Sequence, residues 1–541
     1  MAVAAASPAY AQFGDLLRQL PTGIPGLPGG NTQAPPPATI PAGVQTIEPR
    51  GYSQQFQPVR TMIVEGRYAD AMVCFTPVQD PPPAATPEPA TDRKSKGRAS
   101  HPAPPPPPPP TPPGSIISDP YLARVELGLI AFESGDLETA ITYLRQAEEA
   151  QNARRDATGM TAAGNKIGDA ASYVFGTISG QKGIGRYNPL DHERVLQLNY
   201  MALAYLLQGD RRSYNITRRC IAEQGELKTK FDRQLTESQS KYAQQTGDPS
   251  KVTEGDRQSF DGLAGVFRAY GAQANRVSSA YVNPLGDYLA GVIQEIASRE
   301  QAALRDNSRI AYQNAVKLCG RSPQLSAAAA AMARPRPPTN ERVLHVIAGE
   351  GFSPQREVLT YGLNIRDQVV PVRVPVFKPV GSPVQRIAVL GAKGAPLANL
   401  DPIGDFEAIR MRDQQDRVPL IMLDIFASTL ASYFTGQATK NMGVLGGFLR
   451  QVRENNASPD TRSWLSLPGR FHAARLVLPA NTRSVQLASF DAGGRRLNTE
   501  TVPVSPTEAQ SIIYARVTPG AMRVQTARRL WIEGRLEEDK A

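Results

Sequence analysis

Three cysteines and four histidines are all that 541 residues contain, and neither set is placed for metal chemistry. Cys74, Cys220 and Cys319 share no ligand spacing, and His101, His192, His345 and His472 each lack a second His, Cys or paired carboxylate close in sequence. A structural zinc site takes four such ligands in a compact pattern, so neither zinc nor any other cofactor is expected. The cysteines read as small apolar residues on helix faces; in an oxidising compartment one pair would bridge and leave a thiol over. Hydrolase signatures are missing too: there is no G-x-S-x-G elbow and no H-E-x-x-H helix. In GMTAAGNK, Lys166 falls one place late for a phosphate loop and no Ser or Thr follows it. Gly180, Gly183 and Gly185 have no strand in front of them and read as a bend. No run of eighteen apolar residues occurs, which excludes an expected membrane-spanning helix. Charge of one sign is not concentrated either. With 60 Lys+Arg against 50 Asp+Glu the net charge is +10, and the densest basic cluster, Arg93, Lys94, Lys96 and Arg98, sits among prolines. Without a basic stripe interleaved with aromatics, a nucleic-acid partner is not expected.

What the chain does have is helical hairpins. In YLARVELGLIAFESGDLETAITYLRQAEEA, residues 121–150, Leu127 and Gly128 lie on a first helix. Gly135-Asp136 turns the chain, and Ala140, Leu144 and Ala147 recur at helical spacing on a second. Small residues stand where two antiparallel helices must touch. The order resembles a tetratricopeptide repeat, which buries its apolar face only by stacking on neighbours. Gly66, Ala71 and Phe75 repeat the places of Gly135, Ala140 and Leu144. A further hairpin follows at Leu196, Tyr200, Leu203 and Leu207 with its turn at Gly209-Asp210, and its polar continuation from Glu223 to Gln245 predicts a long exposed helix. A last pair runs from Tyr281 to Cys319, with Ala290-Gly291 on one helix and Ile310, Tyr312 and Ala315 on the other. His192-Glu193-Arg194, at a helix start, reads as a cap and an ion-paired face.

Beyond residue 340 the period changes. RVLHVIAGEGF, REVLTYGLNI, QVVPVRVPVF, RIAVLG, FHAARLVLPA, RSVQLASFDA and SIIYARV are short β-prone runs bounded by Gly and Pro. Val418 to Arg453 interrupts them as a helical insert whose apolar surface suits packing on the sheet, with a membrane or partner contact as the alternative. The fold class is therefore α+β: an N-terminal tetratricopeptide-like α-helical domain, 56–325, and a C-terminal β-rich domain, 341–525, with the insert at 418–453. A proline-rich insertion at 79–115, with seven consecutive prolines, is a stiff spacer or a ligand for an aromatic groove. Residues 12–55 read as a disordered arm, 326–340 as a linker and 526–541 as a charged tail. In MAVAAASPAYAQ, Ala9 and Ala11 match the small-x-small pattern before signal-peptidase cleavage. Residues 1–11 are thus the remnant of a signal peptide, or else an ordinary Ala-rich terminus.

Two further tracts carry a resemblance: Tyr187-Asn-Pro189-Leu-Asp191-His-Glu193-Arg194-Val195-Leu196, with NYMALAYLLQGD, YLAGVIQE and RIAYQNA, and then GEGFSPQREV, PVRVPVF and DTRSWLSLP from Asp460 to Pro468. Together they resemble a broad bacterial family of uncharacterised envelope proteins, many of them lipoproteins, over about residues 55–520. The resemblance implies a periplasmic or outer-membrane-associated location, envelope proteins as partners, with peptidoglycan synthesis as one setting, and no catalytic residues to carry across. This chain departs from the family in lacking a lipobox cysteine and in carrying the proline-rich insertion.

The function expected is a non-enzymatic envelope scaffold that grips a protein segment in the groove of its hairpins, with Arg124, Glu126, Gln197 and Asn199 as the contacts. Peripheral membrane association and homo-oligomerisation are compatible with it. The rivals are a peptidoglycan-acting or peptidoglycan-binding protein using Asp401, Asp405, Glu407 and Asp424 as an acid/base set, and a self-assembling structural subunit.

Overall fold

The computed structural model describes residues 44–76, 115–162, 187–245, 254–281, 283–335, 341–435 and 460–527, apart from a few isolated positions in those ranges. Capping chemistry sets the helical elements. After strand β1 (Val44–Glu48), short helices α1 (Tyr52–Gln55), α2 (Gln57–Glu65) and α3 (Tyr68–Val73) lead to α4 (Pro120–Ser134). Asp119 accepts from the amides of Tyr121 and Leu122 at the start of α4, where Pro120 loses no helical bond by lacking an N–H. Gly135, at φ 91°, ends α4 in the left-handed region and starts the turn into α5 (Leu137–Ala162). Gly209, at φ 76°, does the same between α6 (Asp191–Gln208) and α7 (Arg212–Gln245). A Cβ added at Gly128 would lie 2.9 Å from Leu144, so the small residue on α4 is what lets α5 approach. Helices α8 (Glu254–Arg268), α9 (Gly271–Ala274), α10 (Pro284–Ala297), α11 (Leu304–Cys319) and α12 (Pro323–Ala333) follow. The pairs α4/α5, α6/α7 and α10/α11 pack as hairpins.

The described strands form three sheets. Around β2 (Arg342–Glu350) lie β3 (Gln355–Ile365), β4 (Gln368–Lys378), β5 (Arg386–Gly391), β6 (Pro396–Asn399) and β7 (Asp401–Asp405) before helix α13 (Phe406–Thr435). After it come β8 (Arg470–Leu478), β9 (Ser484–Phe490), β10 (Arg496–Pro503), β11 (Gln510–Val517) and β12 (Met522–Thr526). The orders are β1-β3-β4, β10-β9-β5-β6 and β12-β11-β2-β8-β7, with β11 parallel to β2 and the other pairs antiparallel. All nine positions of β2 are buried, as a central strand covered on both faces requires. Leu344, Val346 and Ala348 face Ile387, Val389, Val485 and Leu487 of the four-stranded sheet. Ile347, with Ile512 and Tyr514 of β11, joins the core of the hairpins instead. The five-stranded sheet is thus the middle layer, between a second sheet and the helices.

The α+β class stands. Several boundaries do not. Residues 44–48, assigned to a disordered arm, pair with β3. Within the expected linker 326–340, the alanines continue α12 to Ala333, capped by Ser322, whose hydroxyl accepts from Leu325 N; alanine's helix propensity outweighs the prolines beyond. The helix expected from Val418 begins at Phe406, and the rest of that insert, 436–453, lies outside the described residues. So do most of the proline-rich insertion, residues 1–11, nearly all of the tail and the glycine bend at 180–185. The three cysteines are free thiols. Among the described residues no helix is long and apolar enough to cross a membrane.

Candidate functional site

The inner helices of the first two hairpins, α4 and α6, each bring a buried carboxylate to the same strip of chain, residues 463–467. Glu126 on α4 is 0 % exposed and accepts from Leu465 N at 2.8 Å, Ser466 N at 3.2 Å and the Tyr52 hydroxyl at 2.7 Å. Glu193 on α6, also 0 % exposed, accepts from Trp464 N at 2.8 Å, from Leu190 N at 3.0 Å and from the Tyr187 hydroxyl. Opposite them, Arg410 of α13 donates to Glu193 at 2.9 Å, to Trp464 O at 2.9 Å and to Pro354 O at 2.8 Å. The strip belongs to no strand, and these side chains, with Arg516 donating to Ser466 O at 3.0 Å and Ser353 N to Leu467 O at 2.7 Å, take up its backbone groups. The Trp464 ring is buried near Tyr200, and its indole N–H donates to Ser466 Oγ.

Electrostatics follow from the burial. Desolvation raises the Glu126 carboxyl to about 7 against the pull of its hydrogen bonds. His192 is held well below the usual range by burial and by the Arg410, Arg417 and Arg356 guanidiniums. It stays neutral, as an imidazole accepting from Arg410 Nε at 3.2 Å must. One helical turn pair further along α4, Glu133 meets Arg516 of β11 at 3.1 Å, and Phe132 packs edge-on against Tyr514 and Tyr200 at 4.9 and 5.3 Å.

The residues expected in a groove are mostly interior. Glu126, Gln197 and Asn199 are at most 4 % exposed, which corrects their assignment as contacts for a foreign segment. Glu126 grips backbone as that role demands, but the backbone is the chain's own. Gln197 bridges the Tyr121 hydroxyl and Leu144 O, tying α6 to the first hairpin. Asn199 accepts from Cys220 Sγ on α7. Arg124 is half-buried and donates to Gln146 O on α5. Sequence reasoning missed Arg410, Tyr52 and Tyr187 as partners; the signal at hand was DTRSWLSLP, a tract without secondary-structure periodicity that includes Trp464.

No family model, no curated protein and no solved structure matches this chain. The arrangement must therefore be read by its chemistry alone. The clamp is shut from solvent, and the Glu126 and Glu193 carboxylates and the Arg410 guanidinium are all engaged in holding the 463–467 strip. Three of the four carboxylates considered for glycan cleavage are engaged elsewhere. Asp401 accepts from Ser322 Oγ and Gln324 N at the start of α12. Asp405 accepts from Ala408 N at the start of α13 and pairs with Arg276 at 3.1 Å, and Glu407 pairs with the same arginine at 3.5 Å. Asp424 lies on α13, its side chain outside the described residues. Among the described residues no group of three His, Cys, Asp or Glu is placed to hold a metal ion.

Proposed function

We propose that the protein is a non-enzymatic scaffold of the bacterial cell envelope, built on tetratricopeptide-like hairpins and exported to the periplasm or the outer-membrane face. Its partners are other envelope proteins, with the peptidoglycan synthesis machinery as the setting. The observation that carries this reading is the use of paired hairpins with inward carboxylates to fix an extended segment, while two of the acid/base candidates, Asp401 and Asp405, accept from amides at helix starts. With that inner face filled by residues 463–467, the partner is received on the outer helices. There α7 leaves Ile221 44 % exposed, beside Ala222, Gly225 and Thr229 on one open face of the helix. Crosslinking in the native cells, after fractionation, tests it. A few envelope proteins captured by the wild type and lost by Ile221→Asp/Gly225→Arg support the scaffold; recovery in the cytoplasm, or release of fragments from purified sacculi, overturns it.

A further inference from the structure

The described sheets end in six edge strands: β1, β4, β10, β6, β12 and β7. Five of these are short or closed. β4 carries Pro371 and Pro375, and its Phe377 N donates to Gln414 Oε1 at 2.7 Å. β6 begins with Pro396 and β7 contains Pro402, while β1 and β12 have five residues each. Proline and brevity are how sheets avoid unwanted strand pairing. β10 differs: it has eight residues and its one proline is the last.

The register says which groups face outward. Val504 N donates to Arg483 O at 2.9 Å, and Thr501 and Thr499 stand opposite Gln486 and Ala488. In an antiparallel ladder, hydrogen-bonded and non-bonded pairs alternate. Even-numbered residues therefore bond to β9, and the N–H and C=O of Thr499 and Thr501 point away from it. No described strand takes them up.

Beside this edge lies a row of like charge. Arg386, Phe490 and Arg496 are cross-strand neighbours on β5, β9 and β10. The two guanidiniums lie 3.9 and 5.8 Å from the centre of the Phe490 ring. Arg386 donates to Asn399 Oδ1, and neither arginine makes an ion pair among the described residues. Ala388, Leu390 and Ala488 complete an apolar floor with Phe490 on that face. Glu500, in the even register of Val502, points to the opposite face.

We propose that the free edge of β10 receives an extended, acidic segment of another protein as an added strand, bonded through Thr499 and Thr501, with a carboxylate opposite Arg496. Backbone pairing supplies the affinity and the arginine row the choice of charge. This site does not depend on the hairpins. The full-length protein would be titrated with a fluorescein-labelled decapeptide alternating Thr or Val with Glu, and with its Lys-for-Glu counterpart. The acidic peptide is expected to bind about tenfold more tightly, as opposed rather than like charges across a strand pair imply. Arg496→Glu should reverse that preference. Thr499→Pro, which removes an outward N–H without touching β9, should abolish binding at an unchanged melting temperature, and Thr499→Val should retain it. Equal affinity for the two peptides, absence of binding, or wild-type binding by Thr499→Pro overturns the proposal. So does a dimer in sedimentation that protects the 499 and 501 amides, which would assign the edge to a second copy.

Discussion

Glu126 and Glu133 lie two turns apart on the same helix, both fully buried and both raised by burial to about 7, yet they are partnered in opposite ways. Glu126 accepts three hydrogen bonds, two of them from the backbone of the 463–467 strip. Among the described residues Glu133 has no hydrogen-bond partner and pairs with a single guanidinium, that of Arg516. Several modest donors fix the position of a chain segment in space. Arg516 also donates to Ser466 O at 3.0 Å, but toward Glu133 it offsets a charge, and the cost of burying that charge falls on whichever partner is left.

Removing the cation breaks the comparison most severely. At pH 8, Arg516→Met is expected to lose about 3–5 kcal/mol, because an uncompensated carboxylate remains in the interior; guanidinium denaturation measures it. At pH 5 the loss should be smaller, since Glu133 then carries its proton, and what remains is the lost hydrogen bond to Ser466 O. A second test isolates that proton. Glu133 has its folded value raised above an unfolded value of about 4.3. The stability contributed by its protonated form is fully present below pH 4 or so and is lost as pH rises through about 7. Relative to Glu133→Gln, the wild type should therefore weaken by about 2 kcal/mol between pH 5 and 8, and parallel stability curves would refute the assignment. The smallest effect belongs to the other carboxylate. Tyr52→Phe removes one of three donors from Glu126 and should cost about 1 kcal/mol by the same denaturation, with little change at Trp464 by fluorescence.

Periodicity explains which parts of this arrangement were visible in the residues alone. The hairpins at 121–150, 196–220 and 281–319 and the apolar strands β2, β5, β8, β9 and β11 announce themselves by spacing of 3.6 or by β-branched runs. β7, DPIGD, and β10, RLNTETVP, do not, because one holds proline and glycine and the other is an exposed edge without an apolar stripe. The clamp was hidden for a different reason. A carboxylate on an otherwise apolar helix looks solvated until its donors are known, and those of Glu126 come from 339 and 340 residues away. Arg410 occupies a polar stretch, EAIRMRDQQDR, that reads as surface, although its guanidinium is fully buried among three elements. Local pattern reports the faces of elements; it says nothing of a segment whose partners are all remote.

The long separations also order events in time. Contacts that close loops of more than three hundred residues form late, since the entropy of closure precedes any gain. While the chain is being made, Glu126 and Glu193 cannot reach the amides of Trp464, Leu465 and Ser466 until those residues have been synthesised. The strip at 463–467 thereby ties the first two hairpins to the β-rich half of the chain.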